Sequence, residues 1–434
     1  MTVEAPARRI LVVGGGFIGM YAARRLERLT REGHTITLVN PENFMQYQPF
    51  LPEVASGTID PRAVVVPLRT VLRRTRLVIG EVERIDHASR IASVRLPDGR
   101  QHELAYDIVV IGTGSRSRVL PIPGLAGRAV GFKTVAEAIY LRNRVLSRLD
   151  LAAEADDEDA RRAALTFVFV GAGYAGVEAL AELEDLARDA VELYADLSRG
   201  DMRWVLVEAA GAILPELGAD LAAYAQRRLE ARGIEVLLHT RLASAEDGVI
   251  ALSDGQRFHA DTLVWTAGVK PTATPGREGW PVDAAGRLKV DECLRIEGID
   301  DAWAAGDVAA VPDVRSGGIA PPSAQYALRE ARRLAGNVIA TIHGREPEPF
   351  RWRNLGGLCA LGRYKGVANV MGVKLRGFPA WFVHRTYHLA QMPTAGRKVR
   401  IMLDWTVALF FRRDLTQLGS LERPREPFER AAGD

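Results

Sequence analysis

Apolar and polar positions alternate along the chain in blocks, and the first block sets a pattern that recurs. In "RRILVVGGGFIGMYAARRLERL" a continuous apolar run, Ile10–Val13, leads into glycines and then into apolar residues at helical spacing. A short apolar run bounded by turn residues predicts a buried strand, and the 3.6-residue rhythm after it predicts a helix. "HTITLVN" (34–40) predicts the next strand. The block then repeats as "LTFVFVGAGYAGVEALAELEDLA", with "MRWVLVEAA" as its following strand. Three further apolar runs end in small residues: "YDIVVIGTGSRS" (106–117), "DTLVWTAGV" (261–269) and "GIDDAWAAGDVAAV" (298–311). "PPSAQYALRE" (321–330) reads as a helix start, because proline fits the first turn and serine caps free N–H groups.

Each glycine group has the spacing G-x-G-x-x-G between a strand and a helix: Gly14, Gly16 and Gly19, then Gly171, Gly173 and Gly176. The first glycine permits a tight turn, the second lets backbone approach a pyrophosphate, and the third lets helix and strand pack closely. The helix N-terminus adds N–H groups and a positive dipole end for phosphate. The second following strand ends in Glu208, a carboxylate able to accept from ribose hydroxyls and to repel a 2′-phosphate, so NADH is expected over NADPH. The first ends in Asn40, with Glu42 close by. Gly112, Thr113, Gly114 and Gly268 close strands where a ligand could approach, and Gly306 precedes Asp307.

The 434 residues exceed one hydrophobic core, and the net charge of +3 hides an uneven distribution. Residues 351–434 hold 15 Lys+Arg against 6 Asp+Glu, whereas the preceding residues hold 42 against 48. A basic end suggests an acidic partner. Two cysteines, Cys293 and Cys359, exclude a disulfide scaffold and a four-cysteine cluster, and no metal site is expected. No run of about eighteen apolar residues occurs, so no spanning helix is expected. Val399–Phe411, flanked by Arg397, Lys398, Arg400, Arg412 and Arg413, predicts an apolar helix able to lie in a bilayer surface. Phe378, Trp381 and Phe382 offer a second contact. A core helix or a homodimer face are the alternatives, while nucleic acid is not expected. The acidic "LAAEADDEDARR" (151–162) reads as a solvated linker.

These landmarks, in order, resemble the two-dinucleotide flavoproteins. The resemblance implies an α/β fold with two Rossmann-like domains: an FAD domain, first part 8–130 and second part 286–350, and an inserted NADH domain at 131–285. Residues 351–434 would form a membrane-associating helical region. Asp307 would contact the ribityl–phosphate part of FAD. The C-x4-C pair of the disulfide reductases is missing from "PENFMQYQPFLPEVASGTIDP". A sulfide:quinone oxidoreductase would need two cysteines by the flavin; Cys293, in "KVDECLRI", reads as a strand residue.

"YQPFLPEVASG" (47–57), "GAGYAGVEAL", "LCALGRYKGVANVMGVKLRGFPAWFV" and "PPSAQYALRE" instead resemble the type II NADH:quinone oxidoreductases. That resemblance implies hydride transfer from NADH to FAD and two electrons onward to a membrane quinone, without proton pumping. It assigns Gln48 to the cofactor site and Glu178, Gln325 and Lys365 to the reacting region. Solvated surface roles are the alternatives for those last three. Arg329 stands where the family carries a second glutamine, and Glu53 where a neutral polar residue is common; an Arg329–Glu53 pair could replace two amides. The expected setting is cytoplasmic, peripheral on the inner face of the membrane, on anionic lipid, as a homodimer. An NADH oxidoreductase with a soluble acceptor, the sulfide enzyme and a slow redox-sensing flavoprotein are the rival readings.

Overall fold

The structure, a computed structural model, describes residues 7–29, 33–272, 279–315 and 317–417. In chain order its principal elements are β1 (Arg9–Val13), α1 (Phe17–Leu29), β2 (Thr35–Asn40), α2 (Leu51–Ala55), β3 (Thr75–Ile79), β4 (Ile108–Ile111), α3 (Val135–Ala153), β5 (Thr166–Val170) and α4 (Tyr174–Val191). There follow β6 (Arg203–Val207), β7 (Ile234–Leu237), β8 (Thr262–Trp265), β9 (Ala302–Ala304), α5 (Ala324–Ile342), β10 (Gly356–Ala360), β11 (Gly366–Val370), β12 (Val373–Arg376), α6 (Phe378–Gln391) and α7 (Ala395–Phe410).

The chain forms two compact units. One comprises the described parts of Met1–Tyr47, Val65–Arg118 and Val269–Leu355. Its parallel sheet runs β9-β4-β1-β2-β3. Strands β1 and β4 are fully apolar at their centres because both faces of a parallel sheet are covered. Helix α1 lies against α5.

The other unit comprises the described parts of Gln48–Val64, Val119–Gly268 and Gly356–Asp434. Its parallel sheet runs β7-β6-β5-β8. An antiparallel sheet, β10-β11-β12, carries helix α6 and meets α4 through β10, while α2 packs on both α3 and α4. Residues 48–64 and the C-terminal segment therefore belong to this unit, whose limits at 118/119 and 268/269 differ from boundaries drawn at 130/131 and 285/286.

Two local expectations are corrected. Cys293 lies in a turn between the isolated bridge partners Val290 and Ile296, since Asp291 Oδ1 accepts the N–H groups of Cys293 and Arg295 and closes the chain on itself. The acidic stretch 151–162 spans the end of α3 and the start of a helix, Glu158–Ala164, whose N-cap Asp157 accepts from Ala160 N–H. Asp and Glu in a first turn suit the helix dipole, so charge there builds a helix.

Candidate functional site

The two glycine turns are built alike. In the first unit a Cβ at Gly14 would lie 2.6 Å from the Gly112 carbonyl oxygen, and one at Gly19 would lie 1.6 Å from the Gly14 oxygen. A Cβ at Gly16 would meet nothing within 4 Å. In the second unit a Cβ at Gly171 would sit 2.7 Å from Ala267 N, one at Gly176 1.9 Å from the Gly171 oxygen, and Gly173 again faces open space. Gly14 and Gly171 also hold φ of +97° and +106°, where a side chain is strained. The outer glycines are thus fixed by the protein's own backbone, and the middle one is left clear for a ligand.

A polar side chain at the end of the next strand pins each turn. Asn40 Oδ1 accepts the Gly15 N–H at 2.7 Å, and Asn40 Nδ2 donates to the Glu42 carbonyl. Glu208 Oε2 accepts Ala172 N–H at 2.7 Å and Oε1 accepts Ala210 N–H at 2.8 Å. Thr266, which sequence reasoning missed, donates to the Val170 and Gly171 carbonyls at 3.0 and 2.9 Å. Its position after β8 was the available signal.

Around the first turn, Ser115 Oγ donates to Asp307 Oδ2 at 2.5 Å, and Gly306 N–H reaches Glu330. Thr113 Oγ1 is buried without a hydrogen-bond partner. A cradle that a Cβ would fill and an orphaned hydroxyl beside it fit the pyrophosphate and polyol of a dinucleotide. Gly112 packs on Ile18, whereas Gly114 and Gly268 are open. Gln48, assigned to the same site from sequence, belongs to the other unit and donates to the Lys133 carbonyl at 3.2 Å.

Helix α4 carries a buried row of carboxylates. Glu178 Oε1 accepts Ala360 N–H at 2.8 Å and lies 3.0 Å from His384 Nε2. It is buried, so the solvated alternative does not describe it. Burial, reinforced by Glu178, pushes the Cys359 thiol well above its usual range. Glu182, one turn on, is pushed up by burial although Arg413 lies 3.9 Å away. Asp185 accepts Arg363 N–H at 2.6 Å and pairs with Arg232 at 3.0 Å. Lys365 sits in the β10–β11 turn, half-buried, held below its usual value by burial and countered by Asp185. Glu178 and Lys365 are thus on one unit, each in a charged setting of its own.

Helix α5 starts where expected, with Ser323 Oγ accepting Tyr326 N–H. Gln325 Oε1 accepts from Trp352 Nε1 at 3.1 Å and Leu355 N–H at 2.9 Å. The Arg329 guanidinium lies over the Trp352 ring at 4.4 Å and donates to the Gln325 carbonyl at 3.0 Å. Glu53 is clamped by Arg385 at 2.6 Å and Trp405 Nε1 at 2.7 Å, with Arg385 between the Trp381 and Trp405 rings. Each charge of the anticipated Arg329–Glu53 pair thus has an aromatic-backed partner set within its own unit.

The C-terminal helices turn the phenylalanines outward and the tryptophans inward. Leu403, Val407, Leu409, Phe410 and Phe411 are exposed, as are Phe378 and Phe382. Ile401 and Trp381 are buried, so those two leave the expected lipid-facing set. Among the described residues no helix is long and apolar enough to cross a membrane.

Residues 8–331 match the pyridine nucleotide-disulphide oxidoreductase family. The type II NADH:quinone oxidoreductase Ndh of Mycobacterium tuberculosis is 31% identical over 429 residues, 95% of this chain and 90% of that protein. This chain belongs to the type II NADH:quinone oxidoreductases. The demethylphylloquinone reductase NdbB of Synechocystis is 30% identical over 92% of this chain and 95% of that protein. The structure of NDH2 from Plasmodium falciparum in complex with NADH superposes with a TM-score of 0.88 over 94% of this chain and 99% of that one, at 18% identity, a likeness of fold. The likeness to the mycobacterial protein covers 95% of this chain, beyond the residues 8–331 that the family model matches.

Proposed function

We propose that this chain oxidises NADH and passes two electrons through FAD to a membrane quinone, without moving ions. The observation that carries this is the pair of ligand-clear glycine cradles in a chain related over 95% of its length to an NADH:quinone oxidoreductase. When bound, FAD supplies a two-electron carrier that accepts hydride from NADH and returns the electrons to the quinone.

Gly14, Gly16 and Gly19 with the α1 N-terminus hold the FAD pyrophosphate, and Asp307, Gly306 and the 112–114 turn hold its polyol and ring end. The second turn, Gly171, Gly173 and Gly176, holds NADH. Glu208 keeps lone pairs for the ribose hydroxyls while its charge disfavours a 2′-phosphate. A quinone carbonyl needs a donor, and Gln325, in the first turn of α5, is the residue that serves it. Arg329 adds a cation to that helix face, and Glu178 and Lys365 set the charge and proton supply of the reacting region.

The exposed apolar row on α7, with Phe378 and Phe382, is the face that enters an anionic bilayer surface, since Arg397, Lys398, Arg400 and Arg412 border it. The reading includes the cytoplasmic face of the membrane, whose bilayer dissolves the quinone, and a homodimeric assembly. Steady-state NADH oxidation with a soluble quinone analogue, with ferricyanide and with sulfide as donor tests the reading. Quinone-supported turnover with NADH and none from sulfide is expected; turnover with ferricyanide alone would overturn it. Flotation with anionic liposomes, reduced by Leu403→Glu, tests the surface.

A further inference from the structure

Glu330 lies on the inward stripe of α5, flanked by Ala327, Ala331 and Leu334, and only 2% of it is exposed. A carboxylate on an apolar stripe costs free energy unless something holds it. Its partner is the turn that carries Asp307: Glu330 Oε2 accepts the Gly306 N–H at 2.7 Å. Glu330, Gly306 and Asp307 line one small cavity with Arg287 and Tyr326. Gly306 has φ of +73° and no room on its inner side, where a Cβ would lie 2.7 Å from Ile18. The turn is therefore fixed from below by Ile18 and from behind by Glu330.

We propose that Glu330 is the positioning residue that sets the Gly306–Asp307 turn for FAD and makes FAD retention depend on pH. The inference rests on the first unit holding FAD. Protonated, Glu330 keeps its carbonyl oxygen for the Gly306 N–H and presents an O–H to the cavity shared with Asp307. Ionised, it keeps the same acceptor and sets a second negative charge beside Asp307, in the unit that would take the anionic FAD. The proton lost on ionisation goes to solvent, and no other bond changes. Burial, then Asp307, pushes Glu330 up to about 7 against the opposing Gly306 hydrogen bond, so the change falls in a useful range.

The other groups facing this cavity do not mimic it. Arg287 is paired with Asp283 at 2.7 Å. Tyr326 is pushed above its usual phenol value by burial and by Asp313 and Glu330. Helix α1 does not line the cavity; it meets Gly306 through the apolar Ile18, and its Tyr21 is raised to about 12. Because binding and protonation are reciprocal, FAD must in turn favour the protonated Glu330.

The test is FAD affinity of the apoprotein, read by quenching of flavin fluorescence from pH 6 to pH 9. Wild type should bind FAD roughly tenfold more weakly at the upper end, and calorimetry in two buffers should show proton uptake on binding near neutral pH. Glu330→Gln keeps the Gly306 acceptor and removes the charge, so it should lose most of that slope and the uptake. Equal slopes in wild type and E330Q, or no proton uptake by wild type alone, would overturn the proposal. Absence of FAD binding at every pH would overturn the cofactor assignment itself and this inference with it.

Discussion

The two glycine turns are near copies, and the helices that follow them are not. Each turn has its outer glycines sealed by backbone, its middle glycine open, and one N–H pinned by the polar residue ending the next strand. Yet α1 buries a single charged residue, Glu27, whereas α4 buries Glu178, Glu182, Glu184 and Asp185. The cause is what covers them. Helix α1 meets α5 on one side, while α4 is also roofed by α2, β10 and the segment after α7. The same nucleotide-binding unit has been given a second surface of contact in one case, and its carboxylates became a buried paired row.

The largest effect should come from closing a turn. Gly19→Ala would thrust a Cβ into the Gly14 carbonyl and should leave purified protein without flavin, read from its absorbance. Gly176→Ala should keep the flavin and lose NADH turnover more than about a hundredfold in kcat/KM. If both variants lost flavin alike, the two turns would not serve separate dinucleotides.

A sharper cut uses the middle glycines. Gly16→Ala and Gly173→Ala meet no protein atom, so melting should stay within about 2 °C while FAD or NADH affinity drops roughly tenfold or more. Loss of stability in place of affinity would contradict the cradle. Smaller again is the pinning residue. Glu208→Gln keeps the acceptor for Ala172 N–H and gives up the one for Ala210 N–H, a small loss of stability, while the NADH-over-NADPH preference falls about tenfold, measured as a ratio of kcat/KM.

The least effect concerns the roofed helix. Folding raises Glu182, chiefly by burial, so its contribution is present below the ordinary carboxylate range and is lost as pH rises through the raised value. Glu182→Gln should therefore melt progressively higher than wild type toward alkaline pH, by roughly 1–3 °C. A gap that shrinks with rising pH would show that the Arg413 pairing dominates.

Much of this was readable in the chain. Strand runs before glycines, strand-end residues and the α5 start all follow from local pattern, because the parallel sheets are built from contiguous apolar segments. What the sequence concealed were pairings between distant segments. Glu53 finds Arg385 and Trp405 more than three hundred residues on, turning the tryptophans away from the expected bilayer face. Gln325 was legible as a polar residue in the first turn of α5, but Trp352, which holds its oxygen, carried no motif. Glu330 was visible as a charge on the apolar stripe of "PPSAQYALREARRLAGNV", a mismatch of period and polarity that marks a buried partner.

Electrons leave this protein on a quinone. Anaerobic stopped-flow mixing tests it directly: protein bleached by one equivalent of NADH is mixed with a quinone analogue while flavin absorbance is followed. Absorbance should return at least as fast as steady-state turnover, with one quinol formed per NADH. Absorbance that stays bleached with quinone and returns only with ferricyanide would contradict it.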